Sequence, residues 1–171
     1  LPFLRKTISN IRRFNVDIIN CAVSDKDQTI DAHRKGGACL QTYAANKDDA
    51  QLVPVNAMTL NTILQKMQIN PSEITHIKLD IDGYEPAFIM GNHDLLIKIK
   101  PLIMTEFWAK GLLRNPEYPL EKYWNHLTDF YHVTLVDYPS GDHIQLNKGA
   151  LNFITDKTLK TVSNLILSPK L

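Results

Sequence analysis

The chain has 171 residues, 44% apolar and 22% charged, with a formal net charge of +1. That is the length of one domain, residues 1–171, with material for a sizeable core. The 19 basic residues are scattered, which argues against nucleic acid as a partner because phosphate binding wants a concentrated basic face.

The nearest approach to a basic patch, Arg5, Lys6, Arg12 and Arg13, reads as the solvated face of a helix. Two cysteines, Cys21 and Cys39, are too few for a disulfide framework and too isolated for a zinc site, so both are expected to stay reduced. No apolar run approaches the roughly 20 residues of a membrane span, so no membrane partner is expected. Charges stand in "LPFLRKTISNIRRF" where a signal peptide would be apolar, and the expected compartment is the cytoplasm.

In chain order, Phe3, Leu4, Ile8, Ile11 and Phe14 have the spacing of an amphipathic helix over Pro2–Phe14. "VDIINCAVS" predicts a strand over Val16–Val23. A polar excursion follows from Asp25 to Pro54, with strand-like pieces at Thr29–Ala32 and Leu40–Tyr43 around Gly36-Gly37, as a hairpin would have. "LVPVNAM" reads as extended. Leu60, Ile63, Leu64 and Met67 then predict a helix with Thr59 as its cap.

The second half alternates. "ITHIKLDI" and "PLIMTEFW" are predicted strands, with helical pieces at Glu85–Met90 and Leu95–Ile99 between them. A helix over Glu121–Phe130 precedes a strand in "YHVTLVDY", and "HIQLNKG" and "ALNFITD" read as late strands. Such alternation predicts a mainly parallel sheet covered by helices on both faces.

The densest chemistry lies in "HIKLDIDGYEPAFIMG", where Asp80, Asp82 and Glu85 crowd around Gly83. If the strand stays extended, Asp80 and Asp82 point to one side. Glu85, beside Pro86 in a first helical turn, is explained by the helix dipole. Ligands of open parallel sheets bind beyond the carboxyl ends of the strands. Asp80, Asp82, Glu106 and Asp137 stand at such ends, and Asn20, Ser24 and Asp25 border another. Their convergence on one rim would make a site.

Three enzyme classes could use that rim. "LDIDG" matches the Asp-x-Asp-Gly-Thr motif of haloacid dehalogenase-like phosphatases, in which the aspartates work with magnesium. Here Tyr84 replaces the threonine and the motif falls mid-chain. A metal-dependent glycosyltransferase could use the same Asp80-x-Asp82 pair.

The third class accounts for more of the chain. "IKLDIDGYEPAFIMG" resembles the FkbM family of S-adenosylmethionine-dependent methyltransferases. That family has a strand of the form Ile-Lys-x-Asp-Val-Glu-Gly-x-Glu, then a helix, a glycine and a strand ending in glutamate. Asp80, Gly83, Glu85, Gly91 and Glu106 match at their offsets, and Asp82 stands in place of the usual glutamate. "NVDIINCAVSDKDQTI" and "VPVNAMTLNTIL" resemble the family's third strand and its apolar run into a helix.

The resemblance implies a Rossmann-like class I methyltransferase sheet with late antiparallel strands. It implies S-adenosylmethionine as donor and a hydroxyl of a sugar, polyketide or similar natural product as acceptor. Asp80 would stand near donor and acceptor, with Asp82 and Glu106 as base or orienting groups and no metal assigned. Cys21, Ala22, Val23 and Ser24, after the third strand, would pack the adenine. The family's glycine-rich donor turn has no counterpart, since the seven glycines form no Gly-x-Gly. The expectation is a chain lacking its first two strands. An exposed edge or apolar face on such a sheet would favour a homodimer. The remaining alternative is a non-catalytic methyltransferase-like binding domain.

Overall fold

The computed structural model describes residues 6–7, 15–35, 38–40, 51–113, 117–138 and 140–170. The predicted helix over Pro2–Phe14 lies outside these residues except for Lys6 and Thr7, which are helical. Gly36-Gly37 and the stretch from Gln41 to Tyr43 also lie outside them.

The strands form two sheets. The first contains β1 (Ala22–Val23), β2 (Gln28–Lys35), β3 (Ala38–Leu40) and β4 (Gln51–Met58) in the order β1-β4-β2-β3. β1 runs parallel to β4, with Ala22 opposite Ala57. β2 runs antiparallel to both β4 and β3, so the polar excursion is a β-ribbon longer than the sequence pieces suggested. The expected strand from Val16 shrinks to two residues.

Helix α1 (Leu60–Met67) follows β4. Thr59 caps it as expected, its side chain accepting from the Thr62 N–H at 3.2 Å. Asp27 reinforces the cap: its carboxylate accepts from the Thr59 N–H at 2.8 Å and from the Thr62 hydroxyl at 2.6 Å. Two side chains from distant segments thus satisfy backbone donors that have no partner within the helix.

The second sheet contains β5 (His76–Leu79), β6 (Leu102–Phe107), β7 (Tyr131–Val136), β8 (His143–Leu146) and β9 (Ser163–Pro169), ordered β5-β6-β9-β7-β8. β5 and β6 are parallel, but β9 is inserted antiparallel between β6 and β7. This corrects the expectation of a mainly parallel sheet. The chain makes two parallel pairings and five antiparallel ones among the described residues. Even so, β5, β6 and β7 point the same way, because β9 reverses direction against both of its neighbours.

Helices α2 (Glu85–Gly91), α3 (His93–Ile99), α4 (Ala109–Leu112) and α5 (Leu120–Phe130) connect these strands. The core is aromatic at its centre: Phe107 stacks on Tyr123 at 6.2 Å and meets Trp124 edge-on at 5.8 Å, all three fully buried. Leu127, Leu135, Leu165 and Leu167 belong to the same buried cluster. On the other face of β6, Leu102 and Met104 are exposed.

"ALNFITD" is a second correction. It forms helix α6 (Leu151–Thr158), not a strand. Leu151, Ile154 and Thr158 recur at helical spacing, and Ile154 and Thr158 are buried. The strand that closes the sheet is β9, where Ser163, Leu165 and Leu167 alternate inward. Period 2, not apolar content alone, distinguishes the two segments.

Candidate functional site

β5 ends at Leu79, whose partner on β6 is Thr105. The parallel register therefore sets Asp80 level with Glu106 on the neighbouring strand. The extended-strand argument for pairing Asp80 with Asp82 does not hold, because the strand stops before either aspartate. Asp82 and Gly83 instead adopt left-handed backbone, with φ of 55° and 96°. That conformation is costly for most side chains, tolerable for aspartate and free for glycine. The turn nevertheless brings both aspartates to one place.

Both line a cavity of about 390 Å³, within the range of roughly 300–1,000 Å³ usual for small-molecule sites. Asn20, Cys21, Ala22 and Val23 line it from the segment that ends in β1, and Asp80, Ile81, Asp82 and Tyr84 from the turn after β5. Ile30, Ala32 and Val55, from β2 and β4, add apolar lining. Of the residues singled out from sequence, Cys21, Ala22, Val23, Asp80 and Asp82 thus share one cavity. Cys21 is a free thiol, and burial raises its pKa, against the opposing charge of Lys66.

Glu106 stands beside this cavity without lining it. Burial raises its pKa, the charges of Asp80 and Asp82 add to the rise, and Lys78 opposes them. Lys78 also forms an exposed ion pair with Asp80 at 3.5 Å. The acidic rim is therefore partly compensated and open to solvent at Asp80 and Asp82. Among the described residues, no three His, Cys, Asp or Glu side chains gather as a metal-ligand set.

Ser24 does not line the cavity. It is buried, its N–H donates to the Met58 carbonyl at 2.8 Å, and its hydroxyl donates to Asp25 at 3.0 Å. Asp25 also accepts from the Tyr118 hydroxyl at 2.9 Å and from the Tyr84 hydroxyl at 3.4 Å. Burial works to raise the Asp25 pKa, but hydrogen bonds from Tyr118 and Ser24 and the charge of Lys26 bring it below the ordinary range. The phenol of Tyr84, whose pKa burial raises, is thus held in place as a cavity wall. No sequence signal couples Tyr118 to Asp25, 93 residues away.

Asn92 ties the same region together. Its side-chain amide donates to the carbonyls of Ser24 and Phe88, and its oxygen accepts from the Leu60 N–H at 2.9 Å. One buried side chain joins the end of β1, helix α2 and the start of α1.

Other polar and aromatic side chains stand elsewhere in the molecule. Asp137 follows β7 on the same edge as Asp80, but it is ion-paired with Lys157 of α6 and two strands removed from Glu106. Trp108 packs its ring over the backbone of Gly111, where a β-carbon would stand 2.4 Å from Cε3. His93 and His126 meet edge-on at 4.8 Å and both pack on Phe130.

Comparison with curated proteins and with solved structures gave no significant match. Residues 5–134 match the family model described as the methyltransferase FkbM domain, a span that takes in the cavity, the Asp80–Glu85 turn and Glu106.

Proposed function

The chain belongs to the FkbM methyltransferase domain family, and from that premise we propose that it methylates a hydroxyl group, using S-adenosylmethionine as donor. The acceptor would be a sugar, polyketide or similar natural product. The observation that carries this reading is the shared cavity of Cys21–Val23 and Asp80–Asp82, with Glu106 beside it.

The residues present fit the nucleoside part of the donor. Ala22, Val23, Ile30 and Ile81 provide apolar walls suited to a flat base. Asp80 and Asp82 provide acceptors for ribose hydroxyls and negative charge for a sulfonium. When bound, the donor supplies an electrophilic methyl group. The acceptor oxygen has to be held in line with that methyl and relieved of its proton. Asp80, at the open rim, would orient the acceptor hydroxyl. Glu106, whose raised pKa brings it nearer to neutrality, would take the proton, directly or through Asp82.

Titration calorimetry of the chain with S-adenosylhomocysteine tests the donor site. Saturable binding that is weakened in Asp80→Asn is the expected result. No binding by the unmodified chain would overturn the assignment and leave the non-catalytic alternative. The hydroxyl class is read by mass spectrometry after incubation with S-adenosylmethionine and a panel of simple glycosides and polyol acceptors.

A further inference from the structure

Glu85 is an anomaly at this site. It is a carboxylate only 2% exposed, without a cationic partner among the described residues. Its position in a first helical turn does not account for it, because the carboxylate reaches back to accept from the Ile81 N–H at 3.0 Å. Backbone N–H groups of Gly83 and of Glu85 itself also favour its charged form. These donors span the turn whose central residues, Asp82 and Gly83, carry positive φ.

We infer that Glu85 is a positioning residue: its carboxylate clamps the Ile81–Gly83 backbone, holding Asp82 in its left-handed conformation beside Glu106. Aspartate tolerates that conformation at a modest cost, and the bond from the Ile81 N–H to Glu85 fixes the turn that contains it. Burial is the main cause of the raised Glu85 pKa, and the charge of Glu106 adds to it. The backbone N–H donors oppose both and favour the charged carboxylate that the clamp uses.

The proposal rests on the Asp82 turn lining the proposed donor site, but its test needs neither donor nor acceptor. Glu85→Gln keeps a carbonyl oxygen for the Ile81 N–H and removes the charge; Glu85→Ala removes both. The Asp82 backbone is followed by its NMR Cα and Cβ shifts, which report its left-handed φ. They are expected to be kept in Glu85→Gln and to leave that range in Glu85→Ala, where the turn loses its acceptor. Exchange of the Ile81 amide proton is expected to stay slow in Glu85→Gln and to rise at least about tenfold in Glu85→Ala.

Asp82 shifts or an Ile81 exchange rate unchanged in folded Glu85→Ala overturn the proposal. If Glu85→Ala does not fold, Glu85→Gln decides: loss of the left-handed Asp82 shifts there, with the carbonyl acceptor kept, overturns it. A chain that binds no donor, yet shows both effects, loses the methyl-transfer reading and keeps the clamp.

Discussion

Gly91 lies directly against Asp25: a β-carbon at Gly91 would stand 2.2 Å from Asp25 Cβ and 2.7 Å from its Cα. The second distance matters more, because a backbone atom cannot swing aside as a side chain can. The end of α2 can approach the segment after β1 only where position 91 has no side chain. Asp25 is in turn the acceptor for Ser24, Tyr84 and Tyr118. Close packing of two backbones and the anchoring of the cavity's tyrosine wall are thus one arrangement.

Gly91→Ala is therefore expected to cost about 1–3 kcal/mol, the usual penalty of overpacking. Chemical denaturation read by circular dichroism measures it. A loss below about 0.5 kcal/mol, the scale of an ordinary surface substitution, would show that the two segments separate easily.

Asn92→Ala removes three side-chain hydrogen bonds and leaves the Leu60 N–H and the Ser24 carbonyl without this partner, while the Phe88 carbonyl keeps the backbone N–H of residue 92. Each such bond contributes roughly 0.5–1.5 kcal/mol, so a loss of about 2–4 kcal/mol is expected. Asn92→Asp keeps the acceptor for Leu60 but presents a carboxylate to two carbonyls. It should be no better than alanine in the same denaturation experiment.

Asp80→Ala should abolish methyl transfer while changing stability by less than about 1 kcal/mol, because its ion pair with Lys78 is exposed and such pairs contribute little. Glu106→Gln should lower kcat by about 10²–10⁴-fold if it accepts the proton. Since burial and the neighbouring aspartates raise the Glu106 pKa, activity should rise with pH through a limb above that of an ordinary glutamate. Full turnover in Asp80→Ala would remove that residue from the mechanism.

Acid should weaken the α3–α5 contact. Burial, together with the charges of His93 and Lys122, lowers the His126 pKa to about 4, while Asp129 pulls the other way. An unfolded histidine titrates near about 6.5. Between these values the unfolded chain takes up a proton that the folded chain refuses, so stability falls as pH drops from about 6.5 to about 4 and levels off below. The group is only partly buried, and a loss of about 1–2 kcal/mol is expected after solvent screening. Urea midpoints at neutral pH and at the acid end measure it; His126→Leu should flatten the difference.

Local sequence pattern alone determined several parts of this protein. The spacing of Leu60, Ile63, Leu64 and Met67, with Thr59 before them, specified α1 and its cap. The alternation in "HIKL" and "LIMTEF" specified β5 and β6, and the run from Asp80 to Glu85 marked the family. These are short-range properties: an apolar period of 2 or 3.6, a capping hydroxyl, a glycine after a strand. They can be read one segment at a time.

Tertiary structure alone decided what those segments meet. Sequence could not say that β9 inserts between β6 and β7, since pairing partners are chosen by the global fit of buried faces. Nor could it say that Asp80 and Asp82 would share a cavity through a left-handed turn instead of a continued strand. The grouping of Asp25 with Tyr84, Tyr118 and Gly91 depends on contacts across 59, 93 and 66 residues of chain. Such contacts leave no periodic trace, because each needs only one suitable atom at one place in space.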